Sequence, residues 1–359
     1  MNLKKIKGIN YKTGSQKAIN FISKIWSLIF VIVLIAFFSS RGVNFFSIKG
    51  LQNVLIAATL ISLVAIGETF VVISGGIDIS VSYVLGLIAT CGGIIMREFY
   101  SAGLNQSFVL VIGIISILIL SLIPGFINGI IITKLKVPPF IATLGVMGIA
   151  QGGAYLLNNG MPVIGLPPLA GQIGNSYILY YVSGKGIKFF NQHASFETKS
   201  AIGIFPVTVL IVLIVILISG YILSKTKFGQ HTYAIGGNIN ASRFLGVPVD
   251  NHLIKIYMIS SFMCGIAAIS YIIRFSMASP NAGEPLLINS IGAIFIGGAS
   301  MSGGYGSISG TIIGAIIIAL LQTGLVSMAV SPFWQYLTVG CIIIIAVFFD
   351  QLKYKLFNN

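Results

Sequence analysis

Two carboxylates stand out because they sit in long apolar sequence. Glu68 lies in Ile66-Gly67-Glu68-Thr69-Phe70, and Asp78 follows in Ser74-Gly75-Gly76-Ile77-Asp78-Ile79-Ser80. An ionisable group within a membrane span is costly, and it marks proton relays, ion paths or substrate contacts. Glu68 therefore reads as a site of proton coupling, as a carboxyl reaching polar surroundings near the membrane edge, as a neutral carboxyl, or as one bonded to a backbone carbonyl of a broken helix. Asp78 reads as the cap of the helix that follows, because the paired glycines before it free the backbone to turn. A second glycine-rich break runs Gly297-Gly298-Ala299-Ser300-Met301-Ser302-Gly303-Gly304-Tyr305-Gly306. Irregular backbone at membrane depth is tolerated only where protein or water surrounds it. Both breaks are thus expected to face a pathway or vestibule. The candidate pathway or broken-helix residues are Glu68, Gly75, Gly76, Asp78, Asn128, Gly297, Gly298, Ser300, Gly303 and Gly304.

Catalytic constellations are missing from the sequence. His193, His231 and His252 fall in connecting segments, and there is no H-E-x-x-H, G-x-S-x-G or P-loop pattern. No Lys-Ser/Thr follows the glycine-rich stretch, so it is not a phosphate cradle. Cys91, Cys264 and Cys341 lie singly in apolar runs, which suits small hydrophobes better than zinc ligands or disulfides. The sequence predicts no enzyme and no cofactor or metal bound by this chain.

The elements that must position these residues are membrane helices. Only 8% of the 359 residues are charged, and 56% are hydrophobic. A soluble domain carries about 25% charged residues, so a soluble enzyme, a disordered chain and a fibre are excluded. The reading is an all-α polytopic membrane protein with broken helices and about ten spans: 22–40, 51–73, 79–97, 107–133, 138–157, 202–223, 254–273, 288–300, 308–328 and 333–349. A basic tail (1–24) precedes a single transmembrane domain (25–353), and a short tail (354–359) closes the chain. The start resembles a signal peptide but shows no small-x-small cleavage pattern, so it reads as an uncleaved first helix.

The net charge of +14 does not point to nucleic acid, because the basic residues are dispersed beside spans. They orient the protein instead. With the N-terminus inside, the inner segments hold six N-tail lysines plus Lys134, Lys136, Lys225, Lys227, Arg243, Lys255, Lys353 and Lys355. The outer segments hold Arg41, Lys49, Arg97, Lys185, Lys188, Lys199 and Arg274. This bias predicts both termini in the cytoplasm. The outer loop 158–201 has room for short surface helices. In the inner loop 224–253, Asn238 or Asn240 N-caps a short helix that Gly246 ends, with Ala241, Phe244 and Leu245 on one face. That face either docks a partner protein or packs on its own bundle.

At these motifs the sequence resembles the permease subunit of ribose-type ATP-binding-cassette importers, which serve simple sugars. The resemblance runs from about Phe45 to Lys353. It rests on Val72-Ile73-Ser74-Gly75-Gly76-Ile77-Asp78-Ile79-Ser80-Val81, Pro138-Pro139-Phe140-Ile141-Ala142-Thr143-Leu144-Gly145 and Thr226-Lys227-Phe228-Gly229 with Tyr233-Ala234-Ile235-Gly236-Gly237-Asn238. Ala241-Ser242-Arg243-Phe244-Leu245-Gly246-Val247 and Gly297 through Thr311 complete it.

The resemblance implies a type II-like homodimeric pore in the bacterial plasma membrane. Cytoplasmic ATPase subunits that bind ATP and magnesium would drive it, and an extracytoplasmic sugar-binding protein would feed it. It also implies that Asn238, Ala241, Ser242, Arg243, Phe244, Leu245 and Gly246 form the region that docks on the ATPase. The chain departs from the family pattern in four places. Ser82 replaces the usual Gly and widens the local helix packing. Glu68 stands where Met or Gln is common. Leu287 and Asn289 take the places of an acidic pair. The expected function is the translocation path for a monosaccharide such as ribose; the alternative is a proton-coupled secondary transporter with Glu68 as carrier.

Overall fold

Apolar segments of this length satisfy their backbone polar groups internally by forming helices. The computed structural model describes residues 29–182, 186–189 and 201–358. The expected basic tail 1–24 lies outside the described residues, as do 183–185 and 190–200 of the outer loop. In chain order the helices are α1 (Ile29–Arg41), α2 (Ile48–Ile73), α3 (Val81–Ser101), α4 (Gln106–Thr133), α5 (Pro139–Leu157) and α6 (Pro168–Gly174). Three strands follow: β1 (Tyr177–Val182), β2 (Gly186–Phe189) and β3 (Ala201–Pro206). Then come α7 (Val207–Lys225), α8 (Lys227–Gly237), α9 (Ile239–Phe244), α10 (Val249–Phe275), α11 (Leu286–Ile296), α12 (Ile308–Ser327) and α13 (Pro332–Asn358). Among the described residues seven helices are long and apolar enough to cross a membrane: α2, α3, α4, α5, α7, α10 and α12. Shorter apolar helices cover Ile29–Arg41, Leu286–Ile296 and Phe333–Ile345.

Helix α2 is the axis of the bundle: 83% of its most apolar window is buried, against 33% for α4 and 28% for α5. The outer helices turn Phe108, Val111, Ile115 and Ile119 outward, as a lipid-facing surface requires. Side-chain oxygens of Ser47, Asn105 and Ser307 cap the starts of α2, α4 and α12. The tightest pairing joins α4 to α10. Gly125 and Gly129, four residues apart, let the α10 backbone touch α4. A Cβ on Gly129 would stand 2.6 Å from Ile254 Cα, and one on Gly125 would strike the Tyr257 carbonyl. Such small-residue faces replace hydrophobic driving force with close packing.

Three expectations change. The span expected at 202–223 begins as a strand: β3 pairs with β1 in a sheet of order β2-β1-β3, and the helix starts only at Val207. The Gln52 amide of α2 donates to the Gly203 carbonyl and fastens this sheet to one end of the bundle. The span expected at 288–300 is the eleven-residue α11. Its missing length is supplied by the non-helical segment 276–285, which descends along α3. Ala278 exchanges backbone hydrogen bonds with Val163 near Gly93, and farther along, the Pro280 carbonyl sits on Gly86 and Gly283 on the Ser82 carbonyl. Protein surrounds this irregular backbone, so it survives at depth. Lastly, the tail expected at 354–359 is helical over 354–358, where it continues α13.

Replacing Gly129 with Leu should force α4 from α10 and cost about 1–3 kcal/mol. Gly220→Ala on α7, where a Cβ meets open space, should cost nothing measurable. Thermal unfolding of the two purified variants in detergent checks this; equal midpoints would contradict the packing.

Candidate functional site

The two buried carboxyls sit where α2, α3, α4, α10 and α11 meet. Glu68 is fully buried, and its Oε2 accepts a hydrogen bond from Ser290 Oγ of α11 at 2.9 Å. Its Oε1 has no partner in the structure. The carboxyl is thus neither near polar surroundings nor bonded to a broken-helix carbonyl, as the sequence reading allowed. Its neighbour Gly67 lets the Ser260 backbone of α10 approach α2.

Asp78 is buried too, with 1% exposure. Its Oδ1 accepts from the Ser80 amide at 3.0 Å and the Ser80 hydroxyl at 2.5 Å, and its Oδ2 accepts from Ser260 Oγ at 2.8 Å. Asn128 Nδ2 of α4 donates to Ser80 Oγ at 3.0 Å. The cap position of α3 belongs to Ser80, without a side-chain cap bond. Asp78 therefore does more than cap: it makes a local turn with Ser80 and ties the start of α3 to α10 across 182 residues of sequence. Ser82 Oγ, Asn128 Oδ1 and Tyr257 Oη around it have no hydrogen-bond partner. Tyr257 Oη lies against Gly76, 2.5 Å from where a Cβ would stand.

The two glycine-rich breaks, far apart in sequence, meet in space. The Gly304 amide donates to the Ile73 carbonyl at the end of α2, at 2.8 Å. Gly75, Gly303 and Gly304 have φ of +86°, +79° and +74°, a region that side chains disfavour. The last turn of α8 seats on this junction. A Cβ on Gly236 would strike the Ile73 carbonyl and stand 2.5 Å from the Gly304 amide. Tyr233 Oη donates to the Gly306 carbonyl at 2.8 Å. Burial, with Tyr305 nearby, raises the Tyr233 phenol above its ordinary pKa and keeps it a donor. Gly297 packs against the backbone of Gly310 and Thr311, and Ser300 bonds within its turn through its backbone and the Ser302 amide. On its other side α8 is held by Phe228, packed on Phe70 and His252, and by Thr232 bonded to His252 Nε2 at 2.9 Å.

Helix α9 continues from this seat. Asn238, not Asn240, caps it through the Ala241 amide, and Gly246 ends it at φ +80°. Ser242 is buried, whereas Ala241, Phe244 and Leu245 are exposed, the last two at 91% and 83%. Arg243 does not share that free surface unaided: it forms an ion pair with Asp250 at 2.6 Å, and Lys136 lies 3.6 Å from the same carboxylate. Among the described residues no group of three His, Cys, Asp or Glu side chains is placed to hold a metal. The partners Ser260 and Ser290 escaped the sequence reading, because a serine in an apolar run carries no periodic or motif signal.

A family model described as the permease component of the branched-chain amino acid transport system matches residues 50–347. The chain is 34% identical to the fructose import permease protein of Rhizobium meliloti, over 90% of this chain and 84% of that one. It is 33% identical to the ribose import permease protein of Bacillus subtilis, over 94% and 97%. Identity to the xylose transport system permease protein of Haemophilus influenzae is 34%, over 91% and 96%. No solved structure matches the chain.

The Asp78 network predicts a graded response. Asp78→Ala leaves three donors without their acceptor and should cost about 1.5–3 kcal/mol or more. Asp78→Asn keeps an oxygen for Ser80 and should retain most of the stability. Denaturation midpoints of the two variants decide it; equal losses would show that the hydrogen bonds are idle.

Proposed function

The chain belongs to this permease family as a simple-sugar import permease rather than an enzyme, and from that premise we propose that it forms the membrane path of an ATP-driven importer. The single observation that carries the mechanism is the seating of α8–α9. One end presents exposed Phe244 and Leu245; the other packs Gly236 against the Ile73–Gly304 junction, where the two glycine-rich breaks meet, and donates from Tyr233 to the Gly306 carbonyl. An ATPase that takes this apolar pair into a groove gains a lever on the breaks. ATP and magnesium belong to that partner.

The path carries a monosaccharide of the kind named for the relatives: ribose, fructose or xylose. A sugar-binding protein delivers it at the opposite end, where the three-stranded sheet sits. In this reading the seven long and three shorter apolar helices make ten crossings in the bacterial plasma membrane. The bias of the basic residues supports both termini in the cytoplasm, and in this reading two copies enclose the path. Glu68 as a proton carrier is not favoured, because the relatives are import permeases; its contact with Ser290 serves helix packing.

Phe244→Asp and Leu245→Asp should each abolish co-purification with the partner ATPase and cut uptake more than tenfold, while the protein still inserts. Undiminished association of both variants would contradict docking. In proteoliposomes that also hold the ATPase and binding protein, uptake should follow ATP. Uptake by the permease alone under a pH gradient, stopped by Glu68→Gln, would establish the proton-coupled reading instead.

A further inference from the structure

A cavity of about 270 Å³ opens between α2, α11, α12 and α13. Leu60 and Pro285 are among its apolar walls, and four neutral polar side chains reach it: Asn289, Gln322, Gln335 and Tyr336. Asn289 is only 5% exposed. Among the described residues none of the four makes a side-chain hydrogen bond within the chain. Polar side chains in the membrane face the bundle interior or a wet cavity and find partners there, because an amide left unpaired in hydrocarbon is costly. Buried Asn289, half-buried Gln322 and Gln335 and the exposed Tyr336 at the mouth, all without internal partners, therefore suit an occupant that brings its own donors and acceptors.

The chemistry narrows that occupant. No charged side chain lines the cavity, so an ion or a charged amino acid finds no counter-charge. An acyl chain gains nothing from carboxamides. A carboxamide both donates and accepts, as a sugar hydroxyl does, and Tyr336 offers a ring as well as a hydroxyl. The volume lies just below the usual range for small-molecule sites, which leaves room for one small guest. Gln335 lies near the start of α13 and Gln322 near the end of α12, so the cavity sits in the half of the bundle remote from α8–α9. That is the half the charge bias assigns to the outside, where substrate arrives.

We propose that Asn289, Gln322, Gln335 and Tyr336 form a way-station for a neutral, polyhydroxylated molecule the size of one monosaccharide. This inference rests on the sugar-import reading. The site has no ionic contact, so it holds its guest weakly, as passage requires.

The test uses the complete importer in proteoliposomes, with radiolabelled ribose, fructose and xylose as probes. Asn289→Leu and Gln322→Leu remove the hydrogen-bonding groups at similar volume, and Leu60→Trp keeps them but fills the space. Each should lower the uptake rate of the transported sugar about tenfold or more in complexes that still assemble with two permease copies. The loss should differ among sugars with different hydroxyl arrangements, which a merely structural defect would not produce. If the unaltered importer transports a probe and all three variants match it, the way-station is overturned and the import reading stands. If the variants assemble with a single permease copy, the cavity is a surface between copies and the proposal fails. If the unaltered importer carries none of the three sugars, both readings fall.

Discussion

The hydrogen bond from the Gly304 amide to the Ile73 carbonyl is the contact on which the rest of the arrangement depends. It joins the end of the most buried helix to the second glycine-rich break, and Gly236 of α8 lies against both partners. There is no room for a side chain at that point. A carbonyl left unpaired in a buried site costs about 1–3 kcal/mol, so the three segments hold one another in place. A force applied to α8 therefore reaches α2 and α12 through backbone contact instead of through flexible side chains. Coupling through packed, discretely arranged elements needs contacts of this kind.

The same economy governs the buried acids. Glu68 and Asp78 lie in an apolar bundle and are met by hydroxyls and an amide, with no Lys or Arg among their hydrogen-bond partners. Two of these bonds join different pairs of helices: α2 to α11 through Ser290, and the start of α3 to α10 through Ser260. Lipid supplies no hydrophobic force between helices, so close glycine contacts and short polar bonds take over the work of alignment. The few surface charges do other work, and Arg243 with Asp250 steadies the turn after α9.

How much was legible in the sequence follows from the range of each interaction. Long apolar runs must be helical in lipid, so most spans were readable within a few residues. The glycine pairs were readable as breaks, because glycine adopts the positive φ found at Gly75, Gly303 and Gly304 without strain. Asn238 and Gly246 announced α9 through local capping chemistry. What was not legible is what pairs across the fold. Ser290 reaches Glu68 over 222 residues, and nothing in its neighbourhood marks it. The pairing of Arg243 with Asp250, seven residues on, was not legible either. The shortened α11 failed expectation because apolar sequence does not distinguish a helix from an extended segment wrapped in protein. The strand Ala201–Pro206 failed for the same reason at the bundle's end. Asn289 was visible as a departure from the family pattern, but its cavity was not.

The central claim is that α8 transmits the ATPase's motion to the glycine-rich breaks, and Tyr233 isolates that step. Its hydroxyl bonds the Gly306 carbonyl, whereas the exposed Phe244 and Leu245 lie at the end of the next helix. The direct measurement is the number of sugar molecules imported per ATP hydrolysed by the Tyr233→Phe importer. The account predicts that the ATPase stays bound and hydrolyses ATP while the ratio falls several-fold. An unchanged ratio would contradict it.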